Sequence, residues 1–495
     1  MQQRPVKRVV IAGGGTAGWI AAAALVKHLG PLIDITLVES DAIGTVGVGE
    51  SVIPTTRGFH RLLGINEAAF MRASQATFKL GISFENWLTE GDRYFHSFGS
   101  VGRSVSLADF QHFWLEARRQ GFGRAYSDYS LETRAAALNR FAATPDSGLA
   151  YAYHLDATAY ARFLRGLAEP AGVRRVEGLI AEIAQDGETG AITALVLASG
   201  ERIEGDLFID CTGFRALLIG QTMNTGFDDW SRWLSTDSAF AVQTEAHGPL
   251  VPYTRVIAHQ AGWRWRIPLQ TRVGNGLVFS SAHMSDEAAR EKLLADIDGA
   301  PLTEPRLIRY RSGYRTPWKG NCVALGLAGG FLEPLESTSI HLIMIAVTQL
   351  IQMFPFGGAT PALAARFNAR SRHEWEHIRD FLILHYSQTA RDESFWRQCR
   401  ETPIPDTLAK RIALFRETGL AWQDADELFR IDSWVQVMMG QGITPVDYHH
   451  LAQMLPPTEL RDALTSLDDG IERAVAAMPT HADFVRRHCA APASN

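Results

Sequence analysis

The stretch from residue 7 to residue 18 constrains the fold more than any other part of the sequence. KRVVIA (residues 7–12) has the pattern of a buried strand, and Gly13-x-Gly15-x-x-Gly18 then opens the apolar helical run WIAAAALV. A second predicted strand, Asp34–Ser40, carries Glu39, 21 residues beyond Gly18. Strand, glycine turn, helix, strand and acid in this order are typical of a Rossmann-like βαβ unit, which predicts an α/β fold.

This unit predicts a dinucleotide site. The glycines allow a tight turn and a close approach of the backbone to a pyrophosphate, while the helix N-terminus supplies N–H groups and a positive dipole end. The predicted cofactor contacts are Gly13, Gly15, Thr16, Ala17, Gly18 and, for the adenosine ribose, Glu39. The motif alone does not separate FAD from NAD, and the competing interpretation is a glycine turn that only packs a helix on a strand.

Two further segments belong to the predicted cofactor site. GTVGVGESVIP (residues 44–54) is a glycine-rich strap suited to lie against a flat ring, and GDLFIDCTG (residues 205–213) is a strand followed by a glycine turn. Flavin hydroxylases have an aspartate before that glycine, but Thr212 stands at this position here, which weighs against a built-in NAD(P)H-driven hydroxylase. The additional predicted cofactor residues are Val48, Gly49, Glu50, Asp210, Gly326 and Ile340.

Composition excludes some partners. The 495 residues carry a net charge of −6, so there is no electrostatic case for nucleic acid or an anionic membrane. Four dispersed cysteines suit a reducing compartment, and we expect a cytoplasmic protein. The apolar stretch Ile340–Ile351 is too short to span a bilayer. We predict a cofactor module over residues 1–340, interleaved with substrate-site segments at about 56–140, and a mostly helical substrate-binding region over 341–495.

Two other segments carry candidate chemistry. In GWRWRIPL (residues 262–269), Trp263, Trp265 and Ile267 would share one face of a strand, because alternate residues point the same way. In GGFLEPLESTSIH (residues 329–341), Ser337, Thr338 and Ser339 precede an apolar helix, whose N-terminus could bind a halide or a flavin group. A simple helix cap is an equally good interpretation of the second segment.

Together these motifs resemble the flavin-dependent tryptophan halogenase family over nearly the whole chain. Trp263-x-Trp265-x-Ile267-Pro268 matches the family's WxWxIP signature, and Phe331, Pro334 and Ser337 match FxxPxxSxG, with Ser339 in place of the usual glycine. The residues that resemble the family's active site are Lys79 in ATFKLGISFENW, Glu336 in PLEST, with Glu333 as the second choice, and the substrate-sandwiching pair His96 and Phe98.

The resemblance implies a flavin-monooxygenase type of fold and a two-component reaction. A separate NAD(P)H-dependent reductase supplies FADH2, oxygen forms a flavin C4a-hydroperoxide, and bound chloride or bromide is oxidised to hypohalous acid. The acid passes to Lys79, which donates a hydrogen bond or forms a haloamine, and a small aromatic substrate is halogenated. Glu336 stabilises the ring cation and takes its proton. Residues 337–339 hold the halide, and the segment Trp263–Pro268 walls the tunnel. Homodimer formation is left open.

Two departures from the family pattern bear on specificity. Ser339 should reshape the halide pocket, and we expect bromide to be used better than chloride. The Tyr-Tyr-Glu segment that grips free tryptophan is absent from DSWVQVMMGQGITPVDYHHLAQM (residues 432–454), which favours indole or another indole-like or phenolic aromatic.

Three alternatives remain at this level. The chain could be a flavin-dependent aromatic hydroxylase, or a flavin-binding protein without oxygen chemistry. HEWEH (residues 373–377) matches the HExxH zinc pattern, but it is short and lies in a strongly charged helix, so we predict no metal site.

Overall fold

The computed structural model describes residues 5–43, 49–104, 107–143 and 148–492. Val48, one of the predicted cofactor residues, lies outside these ranges. The strands, in chain order, are β1 (Arg8–Ala12), β2 (Asp34–Glu39), β3 (Gly49–Ser51), β4 (Thr77–Lys79), β5 (Gly81–Glu85), β6 (Arg93–Ser97), β7 (Ala152–Asp156), β8 (Arg174–Glu177), β9 (Ile180–Gln185), β10 (Ile192–Leu197), β11 (Arg202–Glu204), β12 (Leu207–Asp210), β13 (Asp228–Asp229), β14 (Ser238–Glu245), β15 (Thr254–His259), β16 (Gly262–Pro268), β17 (Arg272–Phe279), β18 (Arg306–Arg309), β19 (Gly313–Tyr314), β20 (Trp318–Lys319), β21 (Cys322–Ala324) and β22 (Gly330–Phe331).

The helices complete the framework. They are α1 (Thr16–Leu29), α2 (Thr55–Leu63), α3 (Glu67–Ala73), α4 (Phe110–Arg119), α5 (Leu131–Ala137), α6 (Ala157–Ala168), α7 (Asp286–Asp296), α8 (Ser339–Gln352), α9 (Pro361–Ser387), α10 (Ser394–Glu401), α11 (Asp406–Thr418), α12 (Ile431–Gly440), α13 (Pro457–Ala476) and α14 (His481–His488). Among the described residues, no helix has both the length and the apolar character needed to cross a membrane.

The chain divides into two compact units, each assembled from three separate stretches. The first unit comprises Met1–Gln75, Leu155–Ser231 and Tyr310–Glu376, and the second comprises Ala76–His154, Arg232–Arg309 and His377–Asn495. Helix α8 packs against α1 and belongs to the first unit.

The first unit is built on a six-stranded sheet in the order β20-β21-β12-β1-β2-β8. Strand β1 lies between β2 and β12 and is parallel to both. Its residues Val9–Ala12 are fully or almost fully buried, as expected for a parallel strand covered on both faces. Helix α1 follows β1 and packs against α6 and α8. The predicted α/β fold with a Rossmann-like βαβ unit is confirmed.

The second unit is built on a seven-stranded sheet in the order β18-β14-β17-β16-β15-β5-β6. Its pairs are antiparallel except β15 with β5, and β16 is held between β15 and β17. The short strand β4 pairs antiparallel with β7, which places Thr77 opposite His154 and Lys79 opposite Ala152.

Candidate active site

The glycine turn of the first unit has the geometry that a dinucleotide requires. Gly13 has a φ of +106°, and a Cβ there would lie 2.4 Å from the carbonyl oxygen of Cys211. A Cβ at Gly18 would lie 1.9 Å from the carbonyl oxygen of Gly13, so close helix–strand packing depends on glycine at both positions.

Gly15 differs from the other two glycines. A Cβ built there meets no atom of the described residues within 4 Å, and its φ of −70° is ordinary for any residue. Gly15 is the N-cap of α1 and makes no side-chain cap, so the helix N-terminus, with Thr16 and Ala17 in its first turn, faces open space. Free N–H groups beside open space fit a pyrophosphate.

Glu39 lies beside this turn at the end of β2. Its Oε1 accepts from Arg175 Nε at 2.5 Å and its Oε2 from Trp19 Nε1 at 3.4 Å, while Arg165 Nη1 lies 3.6 Å away. A carboxylate has about four acceptor positions, so these contacts leave capacity for a ribose hydroxyl. The residues of the first unit therefore fit the adenosine end of FAD.

Two other predicted cofactor residues follow in strand β3. Gly49 is buried, and burial raises the pKa of the neighbouring Glu50 to about 7. Glu50 therefore changes its charge near neutral pH.

Asp210 is placed as an internal acceptor at the end of β12. It is fully buried and accepts hydrogen bonds from the hydroxyl and N–H groups of Thr212 and from the N–H groups of Leu218 and Ile219. Burial raises its pKa. The carboxylate holds the turn that follows β12, a placement that fits shaping of the cofactor loop.

The segment around the α8 N-terminus collects several predicted residues. Glu336 ends the short helix Pro334–Glu336 and is 1% exposed, and the second choice, Glu333, is fully buried. Gly326, with a φ of +65°, would bring a Cβ to 3.0 Å from the Cβ of Ala17, and Ile340 is buried in the first turn of α8.

The predicted halide residues form a strained turn at this helix N-terminus. Ser337 has a φ of +61°, a left-handed conformation that is costly for a non-glycine residue and clusters at functional sites. Thr338 is fully buried, and its Oγ1 has no hydrogen-bond partner among the described residues. Ser339 is the first residue of α8. An unpartnered buried hydroxyl beside free helix N–H groups fits a small anion.

Lys79 is the central residue of the second unit's candidate site. It is 0% exposed and among the largest fully buried side chains, although lysine is almost never buried. Its Nζ lies 5.0 Å from the centroid of the Phe98 ring. A lysine kept from water beside an aromatic face is a strong functional candidate.

The predicted sandwich pair has two different sets of neighbours. The Phe98 ring lies beside Lys79, whereas the His96 ring lies 5.5 Å from Phe381 and 6.2 Å from Phe429. The stacked Phe381 and Phe429 were not identified from the sequence, because nothing in a lone phenylalanine marks it as site-lining.

The two tryptophans stand side by side on β16, as predicted. Their rings are 6.0 Å apart, and both are buried, as are Ile267 and Pro268. Trp263 Nε1 donates to Tyr386 Oη at 2.8 Å, while Trp265 lies over Gly276, where a Cβ would fall 2.0 Å from its ring. Position 276 must therefore be glycine for this wall to form.

Several buried histidines were missed, because no motif marks them. His154 Nδ1 and Nε2 contact Thr77 Oγ1 at 3.0 Å and Thr254 Oγ1 at 2.9 Å. His341, in the first turn of α8, contacts Thr55 Oγ1 at 3.0 Å and Glu374 Oε1 at 3.1 Å. Glu374 of the HEWEH pattern thus serves as the partner of His341.

His377 of the same pattern belongs to the one group among the described residues that could hold a metal, with Asp424 and Glu427. Arg411 pairs with Glu427 and lies 3.9 Å from Asp424. The guanidinium offsets one of the two carboxylate charges and occupies Glu427, so these residues form an ion-pair network, which disfavours a cation there.

Comparisons with known proteins agree with these features. A family model for tryptophan halogenase matches residues 8–457. The tryptophan 6-halogenase SttH of Streptomyces toxytricini is 34% identical over 522 aligned residues, covering 98% of both chains. Xcc4156, a flavin-dependent halogenase from Xanthomonas campestris, superposes with a TM-score of 0.98 at 54% identity over 99% of this chain and all of its own. BrvH, a flavin-dependent halogenase from Brevundimonas sp. BAL3, superposes at 0.94 with 43% identity, covering 98% and 99%.

Proposed function

Since the chain belongs to the tryptophan halogenase family, we propose that it halogenates indole or a related electron-rich aromatic, using FADH2, oxygen and a halide. The enzyme is a flavin-dependent halogenase and depends on a separate flavin reductase. The observation that carries the proposal for the chemistry is the fully buried Lys79 within a chain whose residues 8–457 match the family.

The first unit holds the cofactor in this proposal. The N-terminal turn of α1 binds the pyrophosphate at Gly15, and Glu39 accepts from the ribose. Bound there, reduced FAD would activate O2, and O2 would be the oxidant that converts the halide into hypohalous acid, with its second oxygen atom released as water. The turn Ser337–Ser339 holds the halide through the Thr338 hydroxyl and the free N–H groups of α8.

Lys79 activates the hypohalous acid in this proposal. Its ammonium donates to the oxygen, so that the oxygen leaves as water while the halogen bonds to the ring carbon. The Glu336 carboxylate takes the proton released from that carbon. The sum is one aromatic C–H bond broken, one carbon–halogen bond formed and one water released. The Trp263–Trp265 wall keeps bulky aromatics from the flavin, so that the small acid alone moves between the two.

Replacement of Lys79 tests this role. We expect Lys79→Ala to lower product formation about 10²–10⁴-fold, the usual contribution of a positioned proton donor, with FAD binding unchanged. Lys410→Ala, at an exposed position on α11, is the matched control and should retain full activity. Normal halogenation by Lys79→Ala would show that another group activates the acid.

Indole is favoured over free tryptophan because α12 offers no charged partner for an amino acid. Asp432 is the one charged residue in Ile431–Gly440, and its Oδ1 accepts from the Val101 N–H at 3.1 Å. The side-chain oxygen of Gln436 accepts hydrogen bonds from the backbone N–H and the hydroxyl of Ser97. Unpaired ammonium and carboxylate groups bind poorly when they are desolvated.

A substrate panel tests this specificity. With reductase, FAD, oxygen and bromide or chloride, we expect kcat/KM for indole to exceed that for L-tryptophan by at least about tenfold, the effect of one lost charged hydrogen bond. The isotope pattern of the product mass identifies halogenation. Product hydroxylated without halide would instead identify an aromatic hydroxylase.

Bromide preference is the proposed consequence of Ser339. In competition at equal concentrations, brominated product should exceed chlorinated product, and Ser339→Gly should lower that ratio because it restores the family's usual residue. A chloride excess in the unaltered enzyme, or an unchanged ratio in Ser339→Gly, would refute the assignment.

A further inference from the structure

Strand β4, which carries Lys79, is only three residues long and pairs with β7 along one edge. In an antiparallel ladder, N–H groups of alternate residues point to opposite edges. The N–H of Phe78 points away from β7, toward an edge where no neighbouring strand pairs with β4 among the described residues. Beyond the strand, the N–H of Leu80 donates to the carbonyl oxygen of Pro252 at 2.8 Å, so the chain is held just after Lys79. Within β4 itself, the Phe78 N–H is the group that needs an acceptor on this edge to fix the orientation of the strand before Lys79.

The C-terminal helix α14 supplies the missing acceptor. The Phe78 N–H donates to Nε2 of His481 at 3.1 Å, and His481 Nδ1 donates to the carbonyl oxygen of Leu250 at 3.0 Å. Nε2 accepts and Nδ1 donates, so the ring is neutral with its proton on Nδ1. Burial lowers the pKa of His481 to about 4, which agrees with this assignment. The imidazole therefore takes the place of a strand carbonyl.

Further contacts hold helix α14 in place and join it to β4. His481 is the first residue of α14, and its own N–H donates to Asn139 O at 2.8 Å. Phe484, one turn later, packs edge-on against the Phe78 ring at 5.5 Å. Gln270 donates to the carbonyl oxygens of Ala76 at 2.7 Å and Cys489 at 3.1 Å, which joins the residue before β4 to the chain after α14.

The other face of β4 is held by a second neutral imidazole. Thr77 Oγ1 donates to Pro268 O at 2.7 Å, so it must accept from Nδ1 of His154 at 3.0 Å, which leaves Nε2 to accept from Thr254. Burial and the nearby Lys79 charge hold the pKa of His154 well below its usual range. Both imidazoles bind β4 without adding a positive charge next to Lys79.

We propose that His481 is a positioning residue: the C-terminal helix fixes the rotation of β4 through the Phe78 N–H and so aims Lys79. The inference rests on the proposed role of Lys79. A misaimed lysine receives hypohalous acid less efficiently, although formation of the acid does not require it. Loss of the His481 contact should therefore separate oxidation of the halide from halogenation of the aromatic.

The test compares His481→Leu, which removes both hydrogen bonds, with His481→Gln, whose amide can accept from Phe78 and donate to Leu250. Arg487→Gln, at an exposed position of the same helix, is the control. Three quantities are measured in the full-length enzyme: aromatic product, hypohalous acid captured by a β-diketone scavenger, and hydrogen exchange of the peptide containing residues 77–80.

For His481→Leu we expect about tenfold less product, with the lost fraction recovered by the scavenger, and about tenfold faster exchange of the Phe78 amide, as for one lost hydrogen bond. His481→Gln should regain most of both, and Arg487→Gln should match the unaltered enzyme. A folded His481→Leu with normal product yield overturns the proposal. If His481→Leu does not fold, His481→Gln decides: product loss with unchanged exchange at residues 77–80 overturns it.

Lys79→Ala, assayed in parallel, separates the two proposals. If Lys79→Ala halogenates normally, the function proposed for the lysine fails, while the exchange measurement still reports whether His481 holds β4. If Lys79→Ala is inactive and His481→Leu behaves as the unaltered enzyme in both readouts, only the positioning role fails.

Discussion

At the scale of single residues, glycines of one motif have separable roles. Gly18 is required by the fold, because a Cβ would lie 1.9 Å from the Gly13 carbonyl oxygen, whereas Gly15 borders open space at the α1 N-terminus. The sequence pattern treats both as equal parts of one fingerprint. Only the folded structure shows that Gly18 packs against the backbone of Gly13, whereas Gly15 faces the space that we assign to a ligand.

This difference predicts opposite behaviour of two matched variants. Gly18→Ala should lower the stability of the free protein by about 1–3 kcal/mol, the usual cost of overpacking. Gly15→Ala should leave that stability nearly unchanged but reduce the thermal shift on adding FAD, because the methyl group enters the space that we assign to the pyrophosphate. A normal FAD shift in Gly15→Ala would place the cofactor elsewhere.

The raised pKa of Glu50 predicts that the stability of the protein depends on pH. Burial raises its pKa in the folded state to about 7, above the 4.5 of an ordinary glutamate in the unfolded chain. Below pH 4.5 the carboxyl is protonated in both states and the full stability is present. Between about pH 4.5 and 7 it ionises in the unfolded state first, so stability falls over this range and the loss is complete above about pH 7. Glu50→Gln cannot ionise, so it should gain stability relative to the unaltered protein between about pH 4.5 and 7.

Urea unfolding of the FAD-free protein and of Glu50→Gln at several pH values measures this difference. Gln423→Glu, which adds a carboxyl at an exposed position, is a comparison for a more solvated acid. A stability difference that stays constant from pH 4.5 to 7.5 would mean that Glu50 titrates normally.

Lys79 could be identified as a candidate from the sequence, but its surroundings could not. Its identity as a candidate came from the ATFKLGISFENW resemblance, since a lysine alone is most often on the surface. The full burial of Lys79 and its place beside Phe98 could not be predicted, because these two residues are not adjacent in the sequence and meet only in the folded chain.

At the scale of elements, strand β16 was predictable in detail. Alternation of tryptophan and arginine sets the face of each residue, and both indoles are indeed together and buried. The arginines take the opposite face, where Arg264 lies 3.8 Å from Asp296 and Arg266 donates to His247 O at 2.6 Å. The periodicity did not indicate what the indoles pack on.

Besides its strand neighbours β15 and β17, β16 is joined to α9 by the hydrogen bond from Trp263 to Tyr386. Tyr386→Phe removes the acceptor from a buried indole N–H and should cost about 1–3 kcal/mol of unfolding free energy. Trp263→Phe in the Tyr386→Phe background should then cost less than Trp263→Phe alone.

A double-mutant cycle by chemical denaturation measures this coupling, which we expect at about 1 kcal/mol. Additive effects of the two substitutions would show that the hydrogen bond contributes nothing measurable, and that packing alone joins the strand and the helix.

At the scale of the whole molecule, the two-unit organisation predicts where the cofactor acts. The glycine turn, Glu39 and the α8 N-terminus all belong to the first unit. Ligand bound at 100 times its dissociation constant stabilises the state that binds it by about 2.7 kcal/mol. FAD should therefore slow hydrogen exchange most in the first turn of α1 and least in the sheet β14–β17 of the second unit.

Gly15→Ala is the control for that experiment, since it should abolish the protection of α1 without changing exchange elsewhere. Protection centred on β14–β17 would contradict the assignment of the cofactor to the first unit.

The sequence by itself determined the fold class, the family and the residue types of the site. These depend on local order: a strand, a glycine turn and a helix follow one another within about 30 residues, and short motifs such as WxWxIP remain contiguous. The two indoles share a face because strand periodicity is local as well.

Only the tertiary structure decided which distant stretches meet. Each unit joins three separated segments, so Thr77 and Phe78 of β4 find their partners in His154, Pro268 and His481, which lie between 77 and 403 positions away. Buried polar groups need partners, but sequence does not say from which segment they come. The neutral histidines around β4, the burial of Lys79 and the open space at Gly15 are therefore properties of the folded chain alone.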